Sequence, residues 1–154
     1  MRVRWFLASL ICTAAPLPAL AAIGNVIFNG TIAATCTLTV DTNDTMTVSP
    51  DLQSLSSNNA GGARGTVTLS TTGGVTLGVD PVTSTTAPVA DVTATTWTPT
   101  YASSGAHAIA ETGSSSSLTT PGSSTVMVNL AGTKGGSDRF TADSYQATVT
   151  VRCE

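Results

Sequence analysis

One histidine, three cysteines, nine carboxylates and a large stock of hydroxyls are the chemistry this sequence offers. His107 stands alone, so a metal centre built on several histidines is ruled out by composition. It lies between Ala106 and Ala108 with no cysteine or carboxylate at motif spacing, and it reads as a surface or edge residue rather than a general base. Serines are many, but none stands in Gly-x-Ser-x-Gly, the turn that exposes a nucleophile. The nearest stretch, Gly113-Ser114-Ser115-Ser116-Ser117, reads as a polar loop. Carboxylates could pair as Asp138 with Asp143 or as Asp41 with Asp44. Asp41-Thr42-Asn43-Asp44 has oxygens that calcium takes, yet it lacks the spacing and terminal Glu of a calcium loop. A turn built on Asx side chains is the better reading. Asn29-Gly30-Thr31 and Asn43-Asp44-Thr45 match the glycosylation sequon, which matters only in a eukaryotic secretory pathway. No catalytic residue, metal site or cofactor is expected, and a secreted hydrolase rests on no constellation.

Cysteine is the reactive type whose positions say most. Residues 1–21 read as a secretory signal: Arg2 and Arg4 give the positive start, and Trp5 to Ala15 a short apolar run. Pro16 and Pro18 end any helix, and Ala19-Leu20-Ala21 is a small-x-small cleavage pattern. The run is too short for a bilayer, which takes about 20 residues. Cys12 falls inside it, so Cys36 and Cys153 remain. An even pair in an exported chain points to a disulfide, with two free buried thiols as the alternative. Cys36 shares a face with Ile32 and Leu38, and Cys153 with Val149 and Val151. A bridge from the first full strand to the last is geometrically sensible.

Residues 22–154 suffice for one domain with a core. They hold four of the six basic residues and all nine acids. Such a weakly acidic chain has no footprint for nucleic acid or an anionic membrane. Charged residues make up only 10% and aromatics 5%, while Thr, Ser, Gly, Ala and Val abound. Low charge with many β-branched residues suits sheets rather than a disordered chain.

The elements that must position anything follow from alternation. From Ile23 to Val40 every second residue forms one face: Val26, Phe28, Gly30, Ile32, Ala34, Cys36, Leu38 and Val40. The run exceeds an ordinary strand of about 5–6 residues, so two successive pairings are expected, with a break near Gly30. The first half is read as pairing with a partner subunit and the second with the chain's own sheet. Thr45-Met46-Thr47-Val48 reads as a short strand, and 52–64 as a loop. Gly65-Thr66-Val67-Thr68-Leu69-Ser70 and Val75-Thr76-Leu77-Gly78-Val79-Asp80 alternate, and Thr71-Thr72-Gly73-Gly74 between them reads as a hairpin link. A Thr-rich connection follows over 81–88. Weaker strand signals surround Val92 and Trp97, stopped by Pro99, with Trp97 and Tyr101 as packing aromatics. A short strand is expected over 106–111, a loop over 113–124, a strand over 125–130 and a turn region over 132–139. The last strand runs from Tyr145 to Cys153 with Tyr145, Ala147, Val149, Val151 and Cys153 inward. Seven or eight short strands with Gly/Pro-rich turns and no helical period argue an all-β, two-sheet sandwich.

Three of these stretches carry a family resemblance. Gly24-x-Val26-x-Phe28-x-Gly30-x-Ile32, followed by Cys36, resembles the start of mature chaperone–usher fimbrial subunits of Gram-negative bacteria. Asp143-Ser144-Tyr145-Gln146-Ala147-Thr148-Val149-Thr150-Val151 is similar to the final strand of these pilins and of spore-coat-protein-U-like secreted domains. Gly65-Thr66-Val67-Thr68-Leu69 fits the middle of the latter group. The resemblance implies an immunoglobulin-like sandwich lacking one strand. Its groove would be filled first by a periplasmic chaperone and then, at an outer-membrane usher, by the N-terminal extension of a neighbouring pilus subunit. It implies a signal peptide (1–21), a donor strand (22–32) and a pilin-like domain (33–154). Val26, Phe28 and Ile32 would be the inserted anchors, with Gly24 or Gly30 giving close approach. Tyr145, Ala147, Val149 and Val151 would form the acceptor wall. The chain would pass through the periplasm to the cell surface or the medium. The alternative is a self-complete secreted module, an adhesin or matrix protein, with residues 23–32 as its own first strand. Its loops at 49–64 and 113–124 would then face a host receptor or glycan.

Overall fold

Residues 22–154 are described in the computed structural model of the chain, and the signal expected over 1–21 lies outside them. Every regular element among the described residues is a strand, in keeping with low charge and abundant Val and Thr. In chain order these are β1 (Cys36–Thr42), β2 (Thr47–Val48), β3 (Ser54–Ser56), β4 (Gly65–Thr71), β5 (Val75–Val79) and β6 (Ser84–Thr86). They continue with β7 (Thr95–Gly105), β8 (Ile109–Thr112), β9 (Ser116–Leu118), β10 (Gly122–Lys134), β11 (Gln146–Thr148) and β12 (Val151–Cys153).

The longest strand, β10, organises the larger sheet. Its first half pairs antiparallel with β4, Gly122 opposite Thr71 and Val128 opposite Gly65, and its end pairs with β3. Along its other edge, from Ser124 to Lys134, lies β7. β1 borders β4, β2 borders β3 and β8 borders β7. A smaller sheet has the order β12-β5-β9, and β6 with β11 makes a separate two-stranded ribbon.

The two sheets form a β-sandwich, packed face to face. Val67, Leu69, Tyr101, Val126 and Val128 of the larger sheet share one core with Val75, Leu77 and Leu118 of the smaller. Successive strand residues point to opposite faces, so β4 buries Val67 and Leu69 while turning Thr68 and Ser70 to water. Tyr101 spans the layers, its ring fully buried. Its hydroxyl lies 3.1 Å from the Leu77 carbonyl, 3.0 Å from that of Ser114 and 2.7 Å from Ser116 Oγ. A buried phenol of this size needs such a partner.

Several stretches differ from the sequence expectation. Gly73 and Gly74 do take positive φ, 85° and 75°, but they do not close a hairpin, because β4 and β5 belong to different sheets. Alternation looks the same for a hairpin and for an arch that crosses the core. Here the arch buries the apolar faces of both strands against each other. Residues 52–64 are not simply a loop: they contain β3 and bury Leu55, Ser56 and Ser57. The serine hydroxyls satisfy backbone there, Ser56 Oγ donating to the Leu130 carbonyl at 3.1 Å. Residues 81–88 and 113–124 supply β6 and β9, the latter placing Leu118 in the core.

Pro99 does not stop its strand. β8 pairs only near Tyr101 and Ser103, so the missing N–H of Pro99 falls on an unpaired stretch of edge. β10 continues through the expected turn as far as Lys134. Gly132 makes this feasible beside Trp97, since a Cβ there would come within 2.6 Å of the indole. The alternating run 23–40 becomes a strand only at Cys36, because β4 ends at Thr71 opposite it and the ladder ends with it. The run 145–153 divides into β11 and β12 at Val149-Thr150.

Cys36 and Cys153 are bonded, their Cα atoms 6.1 Å apart, and the bridge joins β1 of one sheet to β12 of the other. With the partners 117 positions apart in sequence, chain entropy gives the bridge about 4–5 kcal/mol. Cys36→Ser should lower the urea midpoint accordingly in oxidising buffer, and an unchanged midpoint would show that the bridge contributes nothing.

Candidate functional site

A sheet edge left unpaired exposes backbone donors and acceptors, and this chain leaves two such edges side by side. β1 is hydrogen-bonded to β4 on one side only, and β12 to β5 on one side only. Between them runs a groove of about 1000 Å³. Leu38 and Val40 line it from β1, and Ala147, Val149 and Val151 from the C-terminal segment. Leu55, Val67 and Val128 contribute from the larger sheet. The disulfide ties the two edges at one end. β1 leads away from it towards Asn43, Asp44 and Thr45, which line the groove together with Asp143, Ser144 and Tyr145.

The groove is apolar where a core should be closed. Leu38, Ala147, Val149 and Val151 are only half-buried, and Val40 is 68% exposed. β1 arrives from the bridge and β12 returns to it, so a strand laid between them would be parallel to one wall and antiparallel to the other. Such a strand would satisfy both edges and cover those side chains at once. Among the described residues, the only charges lining the groove are the carboxylates of Asp44 and Asp143. Burial pushes the Asp44 carboxyl above its ordinary range, partly offset by a backbone hydrogen bond. The arrangement suits an uncharged extended chain better than an anion.

The structure thus brings together the expected wall residues Tyr145, Ala147, Val149 and Val151, with Leu38 and Val40 opposite. Of the expected donor residues, Val26, Phe28 and Ile32 are exposed, Phe28 at 91%, and no strand is assigned over residues 22–35. A Cβ at Gly24 or Gly30 would meet nothing within 4 Å. Asp41 accepts from the Thr68 hydroxyl at 2.8 Å. No three His, Cys, Asp or Glu side chains converge as a metal site among the described residues.

His107 is not at the surface, as its sequence context suggested, but buried, with 9% exposure. Its Nε2 lies 2.9 Å from the Thr120 carbonyl and its Nδ1 3.1 Å from Ser124 Oγ. A carbonyl only accepts, so Nε2 carries the proton and Nδ1 accepts from Ser124. The same Ser124 oxygen accepts the His107 backbone N–H at 2.9 Å. The alanines flanking His107 hide it from sequence reading, because the burying partners come from 13 and 17 residues away.

A buried ion pair behind Tyr145 was also missed. Lys134 Nζ stands 2.6 Å from Asp91 Oδ1, their side chains 0% and 2% exposed. Lys134 also donates to the Thr93 carbonyl at 2.8 Å and sits 5.0 Å from the Phe140 ring centre. The Tyr145 hydroxyl donates to Asp91 Oδ2 at 2.6 Å and accepts the Thr141 N–H at 3.0 Å. Lys134 was legible in part, since it keeps the inward phase of Val126, Val128 and Leu130 along β10. Asp91 sits in an irregular segment and carries no such signal.

Compared with known proteins, the chain matches no family model, no curated protein and no solved structure.

The hydrogen bonds from Lys134 and Tyr145 hold the Asp91 carboxyl down at about 2, against 3.8 ordinarily. A depressed folded value gives stability that is complete above the ordinary value and fades as pH falls from there through about 2. Acid melts of the parent and Asp91→Asn should therefore differ in slope over that window; equal slopes would contradict the pairing. At neutral pH, Lys134→Met leaves a buried carboxylate uncompensated and should cost about 3–5 kcal/mol by urea denaturation.

Proposed function

We propose that this chain is a structural, non-enzymatic subunit of a bacterial surface fimbria, with an immunoglobulin-like pilin sandwich short of one strand. The observation that carries the reading is the apolar groove between the free edges of β1 and β12. An exposed pair of edges over an open core is a template for aggregation unless something occupies it. A strand added there gains main-chain hydrogen bonds for affinity and side-chain pockets for register. A periplasmic chaperone fills the groove after export, and residues 22–32 of a neighbouring subunit replace it at the outer-membrane usher. Val26, Phe28 and Ile32 are the anchors, and at about 1.5–3 kcal/mol each when buried they supply several kcal/mol before pairing is counted. A contact between a leading segment and another subunit's groove does not close on itself, so it propagates as a filament. The alternation that puts Val26, Phe28 and Ile32 on one face supports their insertion as a strand.

Two results test the reading. The chain lacking residues 22–32 should stay folded and lose self-association in sedimentation, while a synthetic peptide of residues 22–35 should bind it. Phe28→Ala in that peptide should weaken binding roughly tenfold or more. Unfolding of the shortened chain would instead identify the segment as its own first strand and favour the self-complete module.

A further inference from the structure

One wall of the groove is held unlike the others. Thr86, Gln146, Ala147 and Thr148 line it from the ribbon of β6 and β11, which is hydrogen-bonded to neither sheet. The two strands pair over three residues each, and β6 is exposed throughout. A two-stranded ribbon is at best marginally stable by itself, so side chains must fix it. β12 anchors the ribbon on one side, from Val151 onward. On the other side stands Tyr145, next to Gln146 at the start of β11.

Tyr145 is tied at both ends of its side chain. Its ring meets Phe140 edge to face with centres 5.2 Å apart. Its hydroxyl joins the buried Asp91–Lys134 pair, and Lys134 belongs to β10, the central strand of the larger sheet. Charge-assisted hydrogen bonds between buried groups are short and roughly twice as strong as neutral ones. The path from groove wall to rigid sheet is therefore Tyr145, Asp91, Lys134.

We propose that Tyr145 is a positioning residue, holding the β6–β11 ribbon through Asp91 and Lys134 and so setting how long an inserted strand stays in the groove. This rests on the fimbrial reading for what is inserted, but the pinning of the ribbon does not. A wall fixed in advance spares an incoming strand the ordering that a loose one would require, and preorganisation of this kind acts mainly on dissociation.

Tyr145→Phe tests it, because the ring and its Phe140 contact are kept and only the hydroxyl is lost. In the whole chain from residue 22 to 154, amide exchange over Gln146–Thr148 should quicken while that over Val75–Val79 stays as in the parent. A labelled peptide of residues 22–35 should dissociate from the variant roughly tenfold faster, the scale of a lost hydrogen bond to a charged group. Unchanged exchange and unchanged dissociation would overturn the proposal. Faster exchange with unchanged dissociation would overturn its functional half and leave the hydroxyl a structural tie. If the parent itself does not hold the peptide, the fimbrial reading falls, and the exchange pattern alone decides whether Tyr145 pins the ribbon.

Discussion

Everything in this molecule turns on the obligation of a strand edge to find hydrogen-bond partners. Backbone donors and acceptors are as polar at an edge as in the middle of a sheet, and a buried one without a partner is costly. The larger sheet meets the obligation inside by running β10 between β4 and β7, with β3 completing its far end. The smaller sheet meets it by holding β5 between β9 and β12. Among the edges that remain, β1 and β12 are drawn together by Cys36–Cys153 but not paired with one another. The core inherits the same incompleteness: Leu69 and Leu77 are sealed, whereas Val40 and Val151 are not.

Two kinds of interaction hold this open arrangement. Between the sheets there are apolar contacts, the Tyr101 hydroxyl and the disulfide, each of which joins elements far apart in the chain. Around the C-terminal wall the work falls to polar groups, with the Asp91 and Lys134 side chains buried where apolar residues would otherwise pack and Tyr145 half-buried beside them. An ion pair stripped of water adds little net stability over an apolar replacement, but breaking it is expensive. Such a pair is suited to fixing a position.

How much was readable beforehand depended on whether the signal was local. Alternation located β4, β5, the middle of β10 and the C-terminal segment, because the period of two is written residue by residue. The cysteine pairing followed from counting the cysteines outside the expected signal. Alternation does not say which strand pairs with which: β4 and β5 look like a hairpin and are instead an arch, since both arrangements use the same turn glycines and inward residues. Short polar strands such as β3, β6 and β9 have too few apolar residues to register at all. The groove walls were legible as inward faces, whereas the vacancy between them was expected from the family resemblance alone, because an empty edge leaves no mark on the residues beside it. His107 and Asp91 escaped because the groups that bury them come from distant segments.

The span of the disulfide has a temporal side. Cys36 is synthesised 117 residues before Cys153, roughly ten seconds ahead at about 5–20 residues per second. During that interval the early thiol has no correct mate anywhere on its own chain. Oxidation of this protein is therefore a report of completion: the covalent clasp can form only once nearly the whole domain has been laid down.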